Sequence, residues 1–356
     1  MTLLEHLSKE NTTIMINNIC INFHESIEDI CKKQLLNAGF KLPKDSKHDC
    51  LELLLNMKKR IVEPRIRNVH FHSSLRIPSN NTKGFFQLVH LMRKGSNINA
   101  YQSHHLERTD FHDGFLNDFG LHHFHLGETS QNKGKHKKYI VRTKNEVFAK
   151  VDENDIYIIG IFGHNKGEKN LIFTDESLLQ LLYDEWPDLL SKYILNGISG
   201  QKFTPDERYN LRSKNANVTI TLNNGIVIMS PGGGFMINGL NAEVFREVAH
   251  LHNTIPHLKK ELFFKQEKHY PPDAYFKVIS FGHKVLGLFS ERYCLFTKIE
   301  TYDNKTKTVS LAPGFGPLYA HGFVPRKTTL IYDKICEAIY VYSGRDYLYP
   351  FPSLYL

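Results

Sequence analysis

The stretch KNEVFAKVDENDIYIIGIFGH, residues 144–164, decides the fold class. EVFAKV and DIYIIGIF are both β-rich, largely apolar runs. The acidic DEND between them is turn chemistry, so the stretch predicts two β-strands of a meander. Upstream, LNDFGLHHFHLGET at 116–129 changes from a spacing near four to a period near two from Leu121, which predicts a helix passing into a strand. Downstream, DESLLQLLYDEWPDLLSKYIL is an amphipathic helix, capped by Thr174 or Asp175 and bent or divided at Pro187.

Farther out, HESIEDICKKQLLNAGF and HDCLELLLNMKKRIVE carry apolar positions at helical spacing, so the first 65 residues are expected to be helical. EPRIRNVHFHSSLRIPSNNTKG is strand-like around 68–76 and then loop-like, FFQLVHLMRK is a further short helix ended by Gly95, and another helix is expected over residues 102–119. NVTITLNNGIVIMS predicts a hairpin with both Asn224 and Gly225 at positive φ. The chain is strand-rich and aromatic from about residue 270. The expected class is α+β, with a helical N-terminal region over 1–85 and a His-rich α+β core domain over 86–205. That core holds a central antiparallel β-meander with flanking helices, and a C-terminal α+β domain follows over 206–356.

Composition narrows the function classes. With 356 residues, 41% apolar and only 23% charged, the chain has the composition of a folded protein rather than a disordered one. No apolar run approaches the roughly 18 residues of a membrane helix, and MTLLEHLSKENTTIMINNIC lacks the basic start and apolar run of a secretory leader. A cytoplasmic protein with no membrane partner is expected. The five cysteines are scattered and never paired as CxxC, which argues against a disulfide framework and a thiolate zinc site. A net charge of +8 favours an anionic partner.

On a strand, His123 and His125 project to one face while His122 shares the other with Phe124 and Leu126. His123 and His125 are therefore the candidate catalytic pair. His122 reads first as a core or edge histidine and otherwise joins the candidate substrate contacts. The apolar strand ending at Gly163 delivers His164, the third candidate catalytic residue. Between them, residues 133–150 hold seven Lys or Arg against one Glu. This basic stretch suits a phosphodiester backbone, with Arg142, Lys144 and Lys138 as substrate-binding candidates. His105, Thr109, His112 and Asp113, brought together by helical spacing, read first as an exposed helix face and otherwise reach the same cleft. PGGGFMING at 231–239 is either an ordinary tight loop or an anion-binding nest.

These residues suit metal-free RNA cleavage. One histidine takes the 2′-hydroxyl proton, a second protonates the leaving oxygen, and Arg or Lys steadies the phosphate. Histidine titrates in the right range. No cofactor is then needed. The runner-up is a hydrolase or nuclease with zinc or manganese on the HxH pair, although no HExxH is present. A third reading is a non-catalytic sensor that binds nucleic acid or protein.

The run from Tyr139 to Lys166 resembles the core of the small bacterial messenger-cleaving toxins of the RelE/ParE type. In those an Arg-bearing strand precedes a strand pair joined by an acidic turn and ending in Gly-His or His-Arg. Arg142, the DEND turn at 152–155 and Gly163-His164 stand at comparable places. LNDFGLHHFHLG is also similar to a motif of uncharacterised bacterial toxin or phage-defence proteins. The resemblance implies an antiviral-defence or toxin endoribonuclease acting on RNA, with a regulatory protein as a further partner.

Overall fold

The computed structural model describes the backbone of most residues from 13 to 249 and of the later strands, with side chains over 27–131, 137–163 and 170–249. His164, Lys133, Lys135 and residues 343–356 lie outside the described residues. The class is α+β, as expected. The chain divides into two compact units, one formed by residues 1–40, 46–54 and 247–353, the other chiefly by 55–246.

The first unit contains β1 (Thr13–Ile16), β2 (Ile19–Asn22) and α1 (Phe23–Asn37). The two strands correct the expectation of an all-helical start. Thr13, Ile14, Ile16, Ile19 and Ile21 supply the β-branched side chains that favour a pleated surface. They join a six-stranded sheet in which β2 runs parallel to Tyr275–Phe281, followed in order by Val285–Ser290, Leu295–Asp303 and Thr308–Leu311. The strand-rich C-terminal stretch is thus present.

The second unit is built on a four-stranded sheet. Its elements begin with the second half of α2 (Cys50–Arg60), then β3 (Asn68–Phe71), α3 (Thr82–Lys94) and α4 (Gly114–Phe119). Next come β4 (His122–His125), β5 (Asn145–Val151) and β6 (Asp155–Gly163). The sheet order is β3-β6-β5-β4. The meander is antiparallel as expected, but β3 pairs with β6 in parallel, so the sheet is mixed. The strand-like run expected around 68–76 supplies β3, but its parallel pairing with a strand more than 80 residues downstream leaves no local trace in the sequence.

Both faces of the sheet are covered. Phe124, Leu126, Val147, Ala149, Ile156 and Ile158 pack with Phe85, Leu88 and Met92 of α3. Leu121, Phe148 and Ile159 pack on the opposite face with Leu178, Leu179 and Leu182 of α5 (Ser177–Glu185). Each such side chain, fully buried, contributes about 1.5–3 kcal/mol. Helix α3 lies so close to β4 that a Cβ on Gly84 would stand 1.9 Å from the Leu126 carbonyl oxygen. Only glycine fits there.

Pro187 divides the next helix, as expected, into α5 and α6 (Asp188–Ser191). Helix α7 (Pro205–Ser213) opens on a capping box between Thr204 and Glu207. The hairpin forms as β7 (Ile220–Thr221) and β8 (Val227–Ile228), with Gly225 at φ 83°. Asn224 stays at negative φ, a correction to the turn expected there. Ile220, Leu222 and Ile228 belong to the same core as Leu121 and Phe148. The boundaries expected near 85 and 205 therefore both fall inside this one unit: β3 completes the sheet from one side and β7–β8 extend the core from the other. Among the described residues no helix is long and apolar enough to cross a membrane.

Candidate functional site

The alternation of β4 divides the three histidines as the sequence predicts. His122 is 8% exposed and stacks on Phe124 at 6.1 Å, which sets it in the packed face and corrects its candidacy as a substrate contact. Burial, followed by the nearby charges of His123, Lys150 and Lys59 and opposed by Asp113, pushes its ring down to about 3. It is a neutral, structural histidine.

His123 and His125 share the other face, yet their surroundings differ. In the antiparallel register His125 stands opposite Glu146 and His123 opposite Phe148. Glu146 is itself buried and lies against both rings: Oε2 is 3.1 Å from His123 Nδ1, in a hydrogen bond, and Oε1 is 2.8 Å from His125 Nδ1, in an ion-pair contact outside hydrogen-bond angles. The His123 side chain keeps 21% of its surface and lines a cleft. His125 keeps 3%, behind Glu146, and does not line it. The expectation that both histidines reach the cleft is corrected for His125, because the carboxylate opposite it in the register takes the place in front.

The cleft encloses about 230 Å³ and is lined by His105, Asp113, His123, Arg142, Glu146 and Phe173, among others. His105 arrives from a 3-10 turn, His104–Glu107, entered through Ser103, whose side chain accepts the His105 backbone N–H. The single helix expected over 102–119 is in fact this turn followed by α4. The break comes at Asp113, which caps α4 by accepting the N–H groups of Phe115 and Leu116 at 3.1 and 3.0 Å. The break turns His105 inward. Its ring stacks on Phe111 at 4.7 Å and 9°. Burial, with Arg108, Arg142 and Arg60 adding to it and Asp113 opposing, holds His105 below the ordinary histidine range, so it is neutral near pH 7.

Phe173 meets His123 edge-on at 5.0 Å and lies over Phe148 at 5.3 Å and 18°. Phe115 closes a third side of the His123 ring at 6.1 Å. The ring is thus fixed by three aromatic walls and one carboxylate. Arg142 reaches the cleft from the segment between β4 and β5, outside any regular strand. The other basic candidates stay away from it. Lys138 is committed to Glu107 at 3.1 Å, and Lys144 is exposed outside the lining.

The register explains why Glu146 was missed by sequence reasoning. It was nonetheless signalled: in KNEVFAKV it falls on the same alternate positions as Phe148, a charge on an inward face. PGGG is settled as a tight loop. Gly232 and Gly234 donate their N–H groups to the carbonyls of Asp118 and Asn117 at 3.1 and 2.8 Å, and Gly233 donates to Ser230, so no nest of free donors is presented.

Chemically, the cleft offers an oriented imidazole, a second neutral imidazole and a guanidinium within one small volume. The carboxylate at His123 Nδ1 orients the ring, the position a buried acid takes behind a catalytic histidine. Among the described residues no three His, Cys, Asp or Glu side chains are grouped to hold a metal ion. No protein-family model matches the chain, and no curated protein or solved structure matches it.

Proposed function

We propose that this cleft cleaves RNA by metal-independent acid–base chemistry, as the effector of a toxin or antiphage-defence system. The observation that carries the reading is the Glu146–His123 pair opening, together with His105 and Arg142, onto one cleft. Two histidines on one cleft, one against a carboxylate and the other among arginines, suit the two proton transfers of strand scission. His105, neutral beside three arginines, takes the 2′-hydroxyl proton as that oxygen attacks the adjacent phosphorus. His123, with its imidazolium held by Glu146, gives a proton to the departing 5′-oxygen. The products are a 2′,3′-cyclic phosphate and a free 5′-hydroxyl. Arg142 faces the charge that gathers on the non-bridging oxygens.

The test is single-stranded RNA incubated with the full chain, with and without chelator, beside His123→Ala, His105→Ala and Glu146→Gln. Cleavage should survive chelation and fall about 10²–10⁴-fold in either histidine variant. Glu146→Gln should fall less, by roughly 10–100-fold, because it removes support rather than the proton carrier. Cleavage abolished by chelator would replace this reading with a metal-dependent one. Salt-sensitive RNA binding without cleavage would replace it with a binding module.

A further inference from the structure

We propose that the cavity beside the cleft is a nucleobase subsite, taking the base of a nucleotide whose phosphate lies at His123 and Arg142. The proposal rests on the reading of the cleft given above. The cavity encloses about 500 Å³, within the range of small-ligand pockets, and its lining includes Asn170, Phe173, Tyr209, Arg212, Asn215 and Phe235. Asn170 and Phe173 also line the cleft, so the two hollows share one wall.

Three observations select the ligand. The walls include the aromatic rings of Phe173, Tyr209 and Phe235, and Phe173 is held rigidly against Phe148 and Phe115. Such surfaces take the flat face of a base. Asn170 Oδ1 is shielded from solvent and has no hydrogen-bond partner among the described residues. A buried acceptor left unsatisfied costs about 1–3 kcal/mol, which a ring N–H or exocyclic amine of a base would recover. Finally, the one Lys or Arg in the lining, Arg212, is already engaged: Nε and Nη2 donate to Asp118 at 3.1 and 2.7 Å, and Nη1 donates to the Phe173 carbonyl at 2.5 Å. The cavity has no spare guanidinium for a phosphate, whereas the neighbouring cleft has Arg142. Charge and shape thus sort phosphate to one hollow and base to the other.

The experiment is ligand-observed NMR with the full chain and each of the four ribonucleosides, which carry a base but no phosphate. At least one should bind the wild type and His123→Ala alike. Binding should weaken at least tenfold in Asn170→Leu, which removes the acceptor, and in Ser213→Trp, which fills the cavity from the exposed end of α7. Circular dichroism confirms that both variants fold. If no nucleoside binds, or if both cavity variants bind as the wild type does, the subsite is overturned. Nucleosides that bind in this pattern to a protein that cuts no RNA would overturn the nuclease reading and leave the subsite standing. RNA cleavage with an unchanged base preference in Ser213→Trp would overturn the subsite and leave the nuclease reading standing.

Discussion

Replacing Asp118 by alanine should destabilise the second unit more than any change at the cleft. Asp118 ends α4 inside the protein, 3% exposed, and accepts five hydrogen bonds. Arg208 contributes Nε at 3.0 Å and Nη2 at 2.9 Å, Arg212 contributes Nε at 3.1 Å and Nη2 at 2.7 Å, and Ser230 Oγ adds one at 2.9 Å. Burial raises the Asp118 carboxyl, but the charges of Arg212 and Arg208 outweigh it and hold the group below its ordinary range. Glu176 shows the other balance. It meets one arginine, Arg208, at 2.7 Å and a backbone hydrogen bond at Thr221, and burial still leaves its carboxyl raised.

Summing four charge-assisted bonds would overstate the cost, because both arginines keep other acceptors: Arg208 retains Glu176 and the Thr219 carbonyl, and Arg212 retains the Phe173 carbonyl. The applicable figure is that for removing one partner of a buried ion pair, about 3–5 kcal/mol. At roughly 2–4 °C per kcal/mol for a domain of this size, Tm should fall by roughly 6–20 °C. The single tryptophan, Trp186, packs at 5.2 Å on Tyr157 of the sheet and reports urea unfolding of this unit directly. Ser230→Ala, which removes a single neutral donor, should cost only about 1 kcal/mol. The sign with pH also follows. A depressed carboxyl stabilises above its unfolded value near 3.8, so the gap between wild type and Asp118→Ala should be full at pH 6 and close only in stronger acid. A loss below about 1 kcal/mol, or a gap that closes already near pH 6, would refute the view that this carboxylate balances two buried guanidiniums.

Two further outcomes follow from the same unit. His122 is neutral when folded, at about 3 against 6.5 unfolded, so the unfolded chain binds the extra proton between those values and stability falls as pH drops through that window. The loss is on the order of 5 kcal/mol; urea titrations from pH 7 to 4 should show a shallower decline in His122→Gln, and identical slopes would contradict the assignment. Gly84→Ala should destabilise by about 1–3 kcal/mol although alanine favours helices, because α3 must lift from Leu126 to admit the methyl group. A thermal melt showing the variant to be as stable as wild type would contradict that close approach.

The strands were legible because a period of two is written into them. KNEVFAKV, DIYIIGIFG and HHFH alternate or run apolar, and each forms the strand expected of it. The DEND turn likewise closes as a hairpin, Asp152 donating its N–H to the Asp155 carbonyl at 2.9 Å. What escaped was whatever depends on pairing across distance. The parallel pairing of β3 with β6, the core contributions of Ile220 and Ile228, and hence the domain boundaries are decided by contacts that no local window contains. Arg208 and Arg212 illustrate the same limit. Four residues apart in a polar helix, they read as solvated surface until Asp118, some 90 residues upstream, is found between them.

The histidine cluster shows how a one-dimensional periodicity becomes a site. Alternation assigns faces, and it grouped His123 with His125 correctly. It cannot rank two residues on one face. That ranking comes from the strand opposite, where the register sets Glu146 against His125 and leaves His123 at the cleft. The second imidazole then comes from His105, turned inward where Asp113 breaks what the sequence presents as one helix. A buried glutamate is tolerated only if its charge is answered, and here two rings answer it. Of the two rings only His123 lines the cleft, so under the proposed mechanism Glu146 acts through His123. His125→Gln and Glu146→Gln therefore disturb the same carboxylate–imidazole cluster, yet only the second removes a direct partner of the cleft-facing ring.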